Sequence, residues 1–253
     1  SHFDVDLLAT DVFLKYNRDP VQFRREVDYW AERHPDGVVF VDEIQRLPIL
    51  LDEIQGLIEK HKPRLTFALT GSSARKLRRV SVNLLGGRAW SFSLFPLTHL
   101  ELKERFDLDE ALLYGTLPPL AGRDPRFQRR TLMAYVQTYL KEEILQEALV
   151  RNMPAFNRFL ELAADQSGSL VNYSNVAGET GVASKTIREY YQVLEDTLIA
   201  FAVPPYLKSA RKRLTMHPIY YLFDLGVINQ LCGRIGACPA PGTSLYGRLF
   251  EHF

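Results

Sequence analysis

The sequence is short of several things at once. No run of about 18 apolar residues occurs in its 253 residues, which excludes a membrane-spanning helix of ordinary length. Cysteine is limited to Cys232 and Cys238. They share a glycine- and proline-rich stretch with no histidine beside them, a poor spacing for zinc and too few for a disulfide framework. The expectation is two reduced cysteines in a cytoplasmic protein. None of the six histidines forms an H-E-x-x-H or other ligand pair, so a metal site made by protein alone is not expected. Excess charge is missing too. Thirty-one lysines and arginines face 30 aspartates and glutamates, a net charge of +1, which gives no global attraction to nucleic acid or membrane. The opening residues Ser1–Thr10 lack a basic region followed by an apolar stretch and do not read as a signal peptide. No internal repeat or low-complexity tract is visible. No G-x-x-x-x-G-K-[ST] phosphate loop occurs.

What is present is globular material, 46% apolar and 24% charged, enough for one large or two modest domains. Phe3–Leu8 reads as a short strand. Asp19-Pro20 opens a helix, since aspartate caps and proline suits the first helical position. Phe23, Val27 and Trp30 give that helix one buried stripe. Val38–Val41 is a continuous apolar run, the mark of a strand buried on both faces. Pro48 begins another helix with Leu50, Leu51, Ile54, Leu57 and Ile58 on one side, and Pro63 breaks it. Leu65–Leu69 is a second buried strand and Ala89–Leu94 a third, stopped by Pro96. Strands alternating with helices of roughly ten residues predict an α/β fold with a parallel sheet.

The texture changes near Leu100. Three regions are expected: 1–100 as the sheet-bearing core, 101–152 as a helical connector, and 153–253 as a separate domain. In the last, helix Pro154–Gln166 precedes helix Ser174–Glu179, a turn at Thr180–Ala183, helix Ser184–Thr197, and strands Leu198–Val203 and Ile219–Phe223. That order is the winged helix-turn-helix order.

The residues with chemical promise sit at strand ends. Val38–Val41 delivers Asp42 and Glu43 to the carboxyl edge of the sheet, where open α/β folds bind ligands. In ATP hydrolysis an aspartate there holds Mg²⁺ and a glutamate beside it orients or deprotonates the attacking water. Two solvated acids ending a buried strand are the plain alternative. Thr70-Gly71-Ser72-Ser73 ends the next strand, placing Thr70 or Ser72 to sense a γ-phosphate. Strand-to-turn junctions favour such residues anyway. Arg88, after Gly86-Gly87, suits bidentate contact with phosphate, or is a surface arginine after a turn. Ser73-Ala74-Arg75-Lys76 has the S-x-x-K spacing of penicillin-binding enzymes but none of its companion motifs.

Taken in order, these motifs resemble the prokaryotic AAA+-type P-loop ATPases with a C-terminal domain of unknown function. The Walker B strand of that family is similar to Asp42-Glu43-Ile44-Gln45-Arg46-Leu47-Pro48. Its sensor strand is similar to Leu69-Thr70-Gly71-Ser72-Ser73. Its Gly-Arg matches Gly87-Arg88, ahead of Pro96-Leu97 and Glu101-Leu102. Further matches are Gly168–Ser174, Val176–Leu194, Lys212-Arg213-Leu214, Asp224-Leu225-Gly226, and Gly247 with Glu251. The resemblance covers nearly the whole chain. It implies a P-loop upstream of residue 1, with a strand leading into it, and further sequence beyond Glu251. It also implies that the strand before the P-loop lies between the sensor strand and Ala89–Leu94.

The function so implied is an ATP-binding, ATP-hydrolysing molecular switch using ATP and Mg²⁺. Asp42 is the metal residue; Glu43, Thr70, Ser72 and Arg88 are the catalytic set. Arg88 acts in its own or a neighbouring subunit of a homo-oligomer. The switch is coupled to a winged helix that touches either DNA or a protein. Its candidate contacts are Lys185, Thr186 and Arg188 on the recognition helix and Arg211, Lys212 and Arg213 between the wing strands. Ile187, Tyr191 and Leu194 form that helix's core stripe, while Glu189 and Glu195 repel phosphate. The alternative is a non-catalytic winged-helix binding module on a degenerate ATPase scaffold. The complete protein is expected to hydrolyse ATP, and this chain alone to be inactive.

Overall fold

The computed structural model describes residues 1–71, 89–140, 144, 150, 152–206 and 217–253. They form two compact units, Ser1–Phe92 and Ser93–Phe253.

The first unit is built on a parallel sheet of β1 (His2–Asp6), β2 (Val38–Asp42) and β3 (Thr66–Leu69), in the order β1-β2-β3. Helices α1 (Thr10–Arg18) and α2 (Pro20–Ala31) join β1 to β2, and α3 (Leu50–His61) joins β2 to β3. The α2 start follows its sequence: Asp19 Oδ1 accepts from the Val21 N–H at 3.1 Å, and Pro20 occupies the first helical position. Phe23 and Val27 then recur one turn apart and are fully buried with Leu50, Leu51, Ile54 and Leu57 of α3. Each such aliphatic or aromatic side chain contributes roughly 1.5–3 kcal/mol on burial.

Two expectations are corrected here. Strand β2 is not buried on both faces. Val39 and Val41 are fully buried against the helices, whereas Val38 is 37% exposed and Phe40 is half-buried. The apolar run thus serves one covered face and one that the described residues leave partly open. The third strand expected at Ala89–Leu94 is absent: residues 89–94 carry no ladder bonds, and Trp90, Phe92 and Leu94 are 89%, 83% and 98% exposed. A strand needs a neighbour to receive its N–H and C=O groups. Among the described residues no strand lies beside this segment, so its alternating aromatic pattern stays unused.

The second unit is mainly helical. It contains α4 (His99–Leu102), α5 (Leu108–Tyr114), α6 (Pro125–Ala134), α7 (Met153–Asp165), α8 (Tyr173–Thr180), α9 (Ser184–Asp196), α10 (Leu225–Leu231) and α11 (Ser244–His252). Strands β4 (Ala200–Val203) and β5 (Ile219–Leu222) pair antiparallel, Ala200 opposite Leu222. Polar caps set most starts: Asp107 for α5, Asp124 for α6, Asn152 for α7, Asn172 for α8 and Asp224 for α10. Gly181, at φ +74°, ends α8 in the left-handed conformation that glycine adopts without strain. The outer edge of β5 is also bonded: Gly168 N–H donates to Tyr220 O at 2.8 Å and Val171 N–H to Pro218 O at 3.2 Å.

The core of this unit gathers Phe156 and Phe159 from α7, Val176 from α8, Ile187, Tyr190, Tyr191 and Leu194 from α9, and Leu222 from β5. The segment Asp224–Gly226 locks α5 to α10. Asp224 Oδ2 accepts from the Thr116 N–H at 2.8 Å and Oδ1 from the Val227 N–H at 3.0 Å. A side chain on Gly226 would collide with the Tyr114 carbonyl, because a Cβ there would lie 1.9 Å from it. Asn229 Nδ2 donates to the Leu112 and Leu113 carbonyls at 2.9 and 3.0 Å, satisfying acceptors at the end of α5 that the helix leaves open.

Candidate functional site

Three parallel strands end side by side, two in an aspartate and the third just before a threonine. Asp6 stands opposite Asp42 in the β1–β2 register, and Val41 opposite Leu69 in the β2–β3 register. Thr70 follows directly on β3. Its hydroxyl donates to Asp42 Oδ1, and the same oxygen accepts the Glu43 N–H at 3.3 Å. Backbone bonds continue the ladder past the strand ends: Thr70 N–H donates to Val41 O at 3.0 Å and Ile44 N–H to Thr70 O at 3.1 Å. Asp42, Glu43 and Thr70 are therefore one cluster, held by both backbone and side chain.

Glu43 has φ 56° and ψ 43°, a left-handed conformation on a non-glycine residue. That conformation costs on the order of 1–2 kcal/mol and persists where surrounding bonds over-determine it. The Thr70 bonds on either side of Glu43 are such a constraint. The Gln45 amide donates to Glu43 Oε2, so the carboxylate is gripped from within the same turn. Arg46 closes the turn by donating its N–H to Glu43 O at 2.9 Å.

Sequence reasoning placed Asp42, Glu43 and Thr70 at this edge, and the structure brings the three together. Ser72 and Arg88 lie outside the described residues. It missed Asp6, Gln45 and Arg46. For Asp6 a signal existed, since it ends a short strand with apolar Phe3 and Val5, much as Asp42 ends the run Val38–Val41. Gln45 and Arg46 belong to the Walker B-like run, but their bonds to the Glu43 carboxylate and the Leu7 carbonyl could not be read from it.

A group of three or more metal-ligating side chains is not found among the described residues. One carboxylate with a neighbouring hydroxyl at a strand end fits a Mg²⁺ held partly through water, because Mg²⁺ keeps several waters and takes one or two carboxylates. No G-x-x-x-x-G-K-[ST] phosphate loop occurs within the 253 residues.

In the second unit, α9 buries Ile187, Tyr190, Tyr191 and Leu194 on one side. Lys185 and Arg188 are exposed on the other, Thr186 is half-buried, and Glu189 is exposed beside them. The Arg188 guanidinium lies 5.0 Å from the Tyr173 ring centroid, a cation–π interaction that holds it at the surface. Arg211, Lys212 and Arg213 lie outside the described residues. No helix among the described residues is long and apolar enough to cross a membrane.

Comparison with known proteins divides the chain in the same place as its chemistry. A family model described as an AAA domain matches residues 6–103. A second, described as a domain of unknown function (DUF8612), matches residues 105–236. Uncharacterized proteins of Mycobacterium tuberculosis and Mycobacterium bovis are each 26% identical over 198 residues, which is 78% of this chain and 45% of theirs. An uncharacterized protein of Haemophilus influenzae is 23% identical over 217 residues, 76% of this chain and 54% of its own. The chain thus spans about half the length of the curated relatives it matches. No solved structure matches it significantly. The AAA match makes the N-terminal region an ATPase-like, nucleotide-binding type of scaffold.

Proposed function

The chain belongs to the DUF8612 family, and from that premise, with the AAA-domain match ahead of it, we propose that the whole protein is an ATP-hydrolysing switch coupled to a partner-binding domain. The observation that carries this reading is the Asp42–Glu43–Thr70 cluster at the carboxyl edge of a parallel sheet. Ligands of open α/β sheets bind at that edge. Asp42 would hold Mg²⁺, and the metal would supply charge neutralisation for a transferring phosphoryl group. Glu43 would orient the attacking water and accept its proton. Thr70, bonded to Asp42 and to the Glu43 backbone, would report phosphate occupancy to both. Ser72 and Arg88 complete the proposal: the serine as a second sensor, the arginine as a counter-charge to the transition state, in the same or a neighbouring subunit.

The order α7, α8, glycine turn, α9, β4, β5 supports reading residues 153–223 as a winged helix. Its partner is DNA or a protein, met by Lys185, Thr186 and Arg188 and by the basic segment Arg211–Arg213. Nucleotide turnover would then bias the orientation of this domain.

The test is ATP hydrolysis by the full-length protein with Mg²⁺, alongside Glu43→Gln. Turnover should vanish in the variant while ATP affinity is kept, because Glu43 touches water and Asp42 touches metal. Wild-type protein that binds its partner but never turns over ATP would establish the non-catalytic binding module instead.

A further inference from the structure

Arg46 is exposed at the end of the turn after β2, yet its side chain is anchored. Its Nη1 donates to the Leu7 carbonyl at 2.7 Å, and its guanidinium carbon lies 5.3 Å from the Phe13 ring centroid. The Leu7–Leu8 peptide is gripped from its other side too, since the Leu8 N–H donates to Asp6 Oδ1 at 2.7 Å. The Leu7 N–H in turn donates to the Asp42 carbonyl at 3.3 Å. With the Arg46 N–H on the Glu43 carbonyl, these bonds make a closed circuit. It runs from Asp42 through Glu43 to Arg46, across to Leu7, and back to Asp42. The left-handed Glu43 sits inside it.

We propose that Arg46 is a positioning residue: by anchoring on the Leu7 carbonyl it closes the turn that keeps Glu43 left-handed and so fixes the glutamate carboxylate relative to Asp42 and Thr70. This role rests on the reading of Glu43 as the group that orients water. It differs from ordinary structural support in what its loss should cost. Arg46 is exposed, so removing it opens no cavity in the core, where substitutions are expensive. What is lost is the second anchor of a strained turn, and a misplaced catalytic group costs turnover rather than binding.

The test is made in the full-length protein with Arg46→Ala and Arg46→Lys. Arg46→Ala should lower kcat for ATP hydrolysis about tenfold with KM for ATP unchanged. Arg46→Lys, which keeps a donor able to reach Leu7, should recover most of the loss. Hydrogen exchange at the Leu7 and Ile44 amides should quicken in Arg46→Ala and return toward wild type in Arg46→Lys. In an active wild type, unchanged kcat overturns the proposal, as does a loss of kcat accompanied by an equal change in KM or by unaltered exchange. A wild type that turns over no ATP overturns the reading of Glu43 itself, and this role falls with it even if exchange quickens as expected.

Discussion

Thr70 and Asp42 are joined across the β2–β3 ladder by a hydroxyl-to-carboxylate bond, and the same hydroxyl oxygen takes the Glu43 N–H at 3.3 Å. One side chain thus fixes both acids. Thr70→Val keeps the shape and removes both bonds, leaving the Glu43 N–H without its acceptor. The expected cost is about 1–3 kcal/mol of stability, read by urea unfolding of this chain, with Thr70→Ser recovering most of it. ATP turnover of the full-length protein should follow the same order, wild type above serine above valine.

Asp224 predicts an acid-side trend of unusual sign. Burial pushes its carboxyl up to about 6, against the pull of N–H bonds from Thr116, Val227 and Gly226. A folded carboxyl above its unfolded value of 3.8 binds more protons in the native state between those two pH values. Its contribution is therefore fully present below about pH 4 and is lost as pH rises through about 6. Unfolding free energy of wild type minus that of Asp224→Asn should fall by on the order of 3 kcal/mol between pH 3.5 and 7. A flat difference across that range would show that the three N–H bonds cancel burial, and a rise with pH that they outweigh it.

Tyr191 carries a cost that the fold tolerates. Its side chain is 1% exposed, stacked 4.1 Å from Tyr220 and edge-on to Phe159 at 4.9 Å. Its hydroxyl has no hydrogen-bond partner among the described residues. Tyr191→Phe keeps the ring and removes the unsatisfied group. Calorimetry should show Tm unchanged or raised by roughly 2–4 °C, as about 1 kcal/mol gives in a domain of this size. A clear fall in Tm would reveal a partner for the hydroxyl.

The exposed face of α9 separates DNA from protein as a partner. Replacing Lys185 and Arg188 by alanine should weaken DNA binding by the full-length protein. Its log–log salt dependence should flatten by roughly one unit for each phosphate that is no longer neutralised. An unchanged slope would show that neither side chain neutralises a phosphate, which counts against DNA at this face.

Much of this was legible in the chain because it is local. Asp19-Pro20 announces a helix start by capping chemistry alone. The spacing of Ile187, Tyr191 and Leu194 announces the buried face of α9. The Asp42–Thr70 cluster was legible because apolar runs end in sheets at predictable edges. What failed was whatever depends on a neighbour. Ala89–Leu94 has strand composition, but a strand is a property of two segments. Phe40 sits in an unbroken apolar run, but its burial depends on a covering layer. The Arg46–Leu7 bond and the Gly226–Tyr114 approach each join a residue to a distant backbone carbonyl, and every residue has one.

The exposure of Trp90 has a spectroscopic consequence. The chain has only two tryptophans. Trp30 is half-buried, with its ring against Gly37 and 5.7 Å from that of Phe3. Trp90 stands 89% in solvent. With Trp30 replaced by phenylalanine, emission would come from Trp90 alone, at the long wavelengths of an indole in water and open to quenching by iodide. Any strand laid along residues 89–94, whether from the same polypeptide or another, would blue-shift that emission and shield it from the quencher. Residues 89–94 thereby carry a built-in optical reporter of anything that comes to cover them.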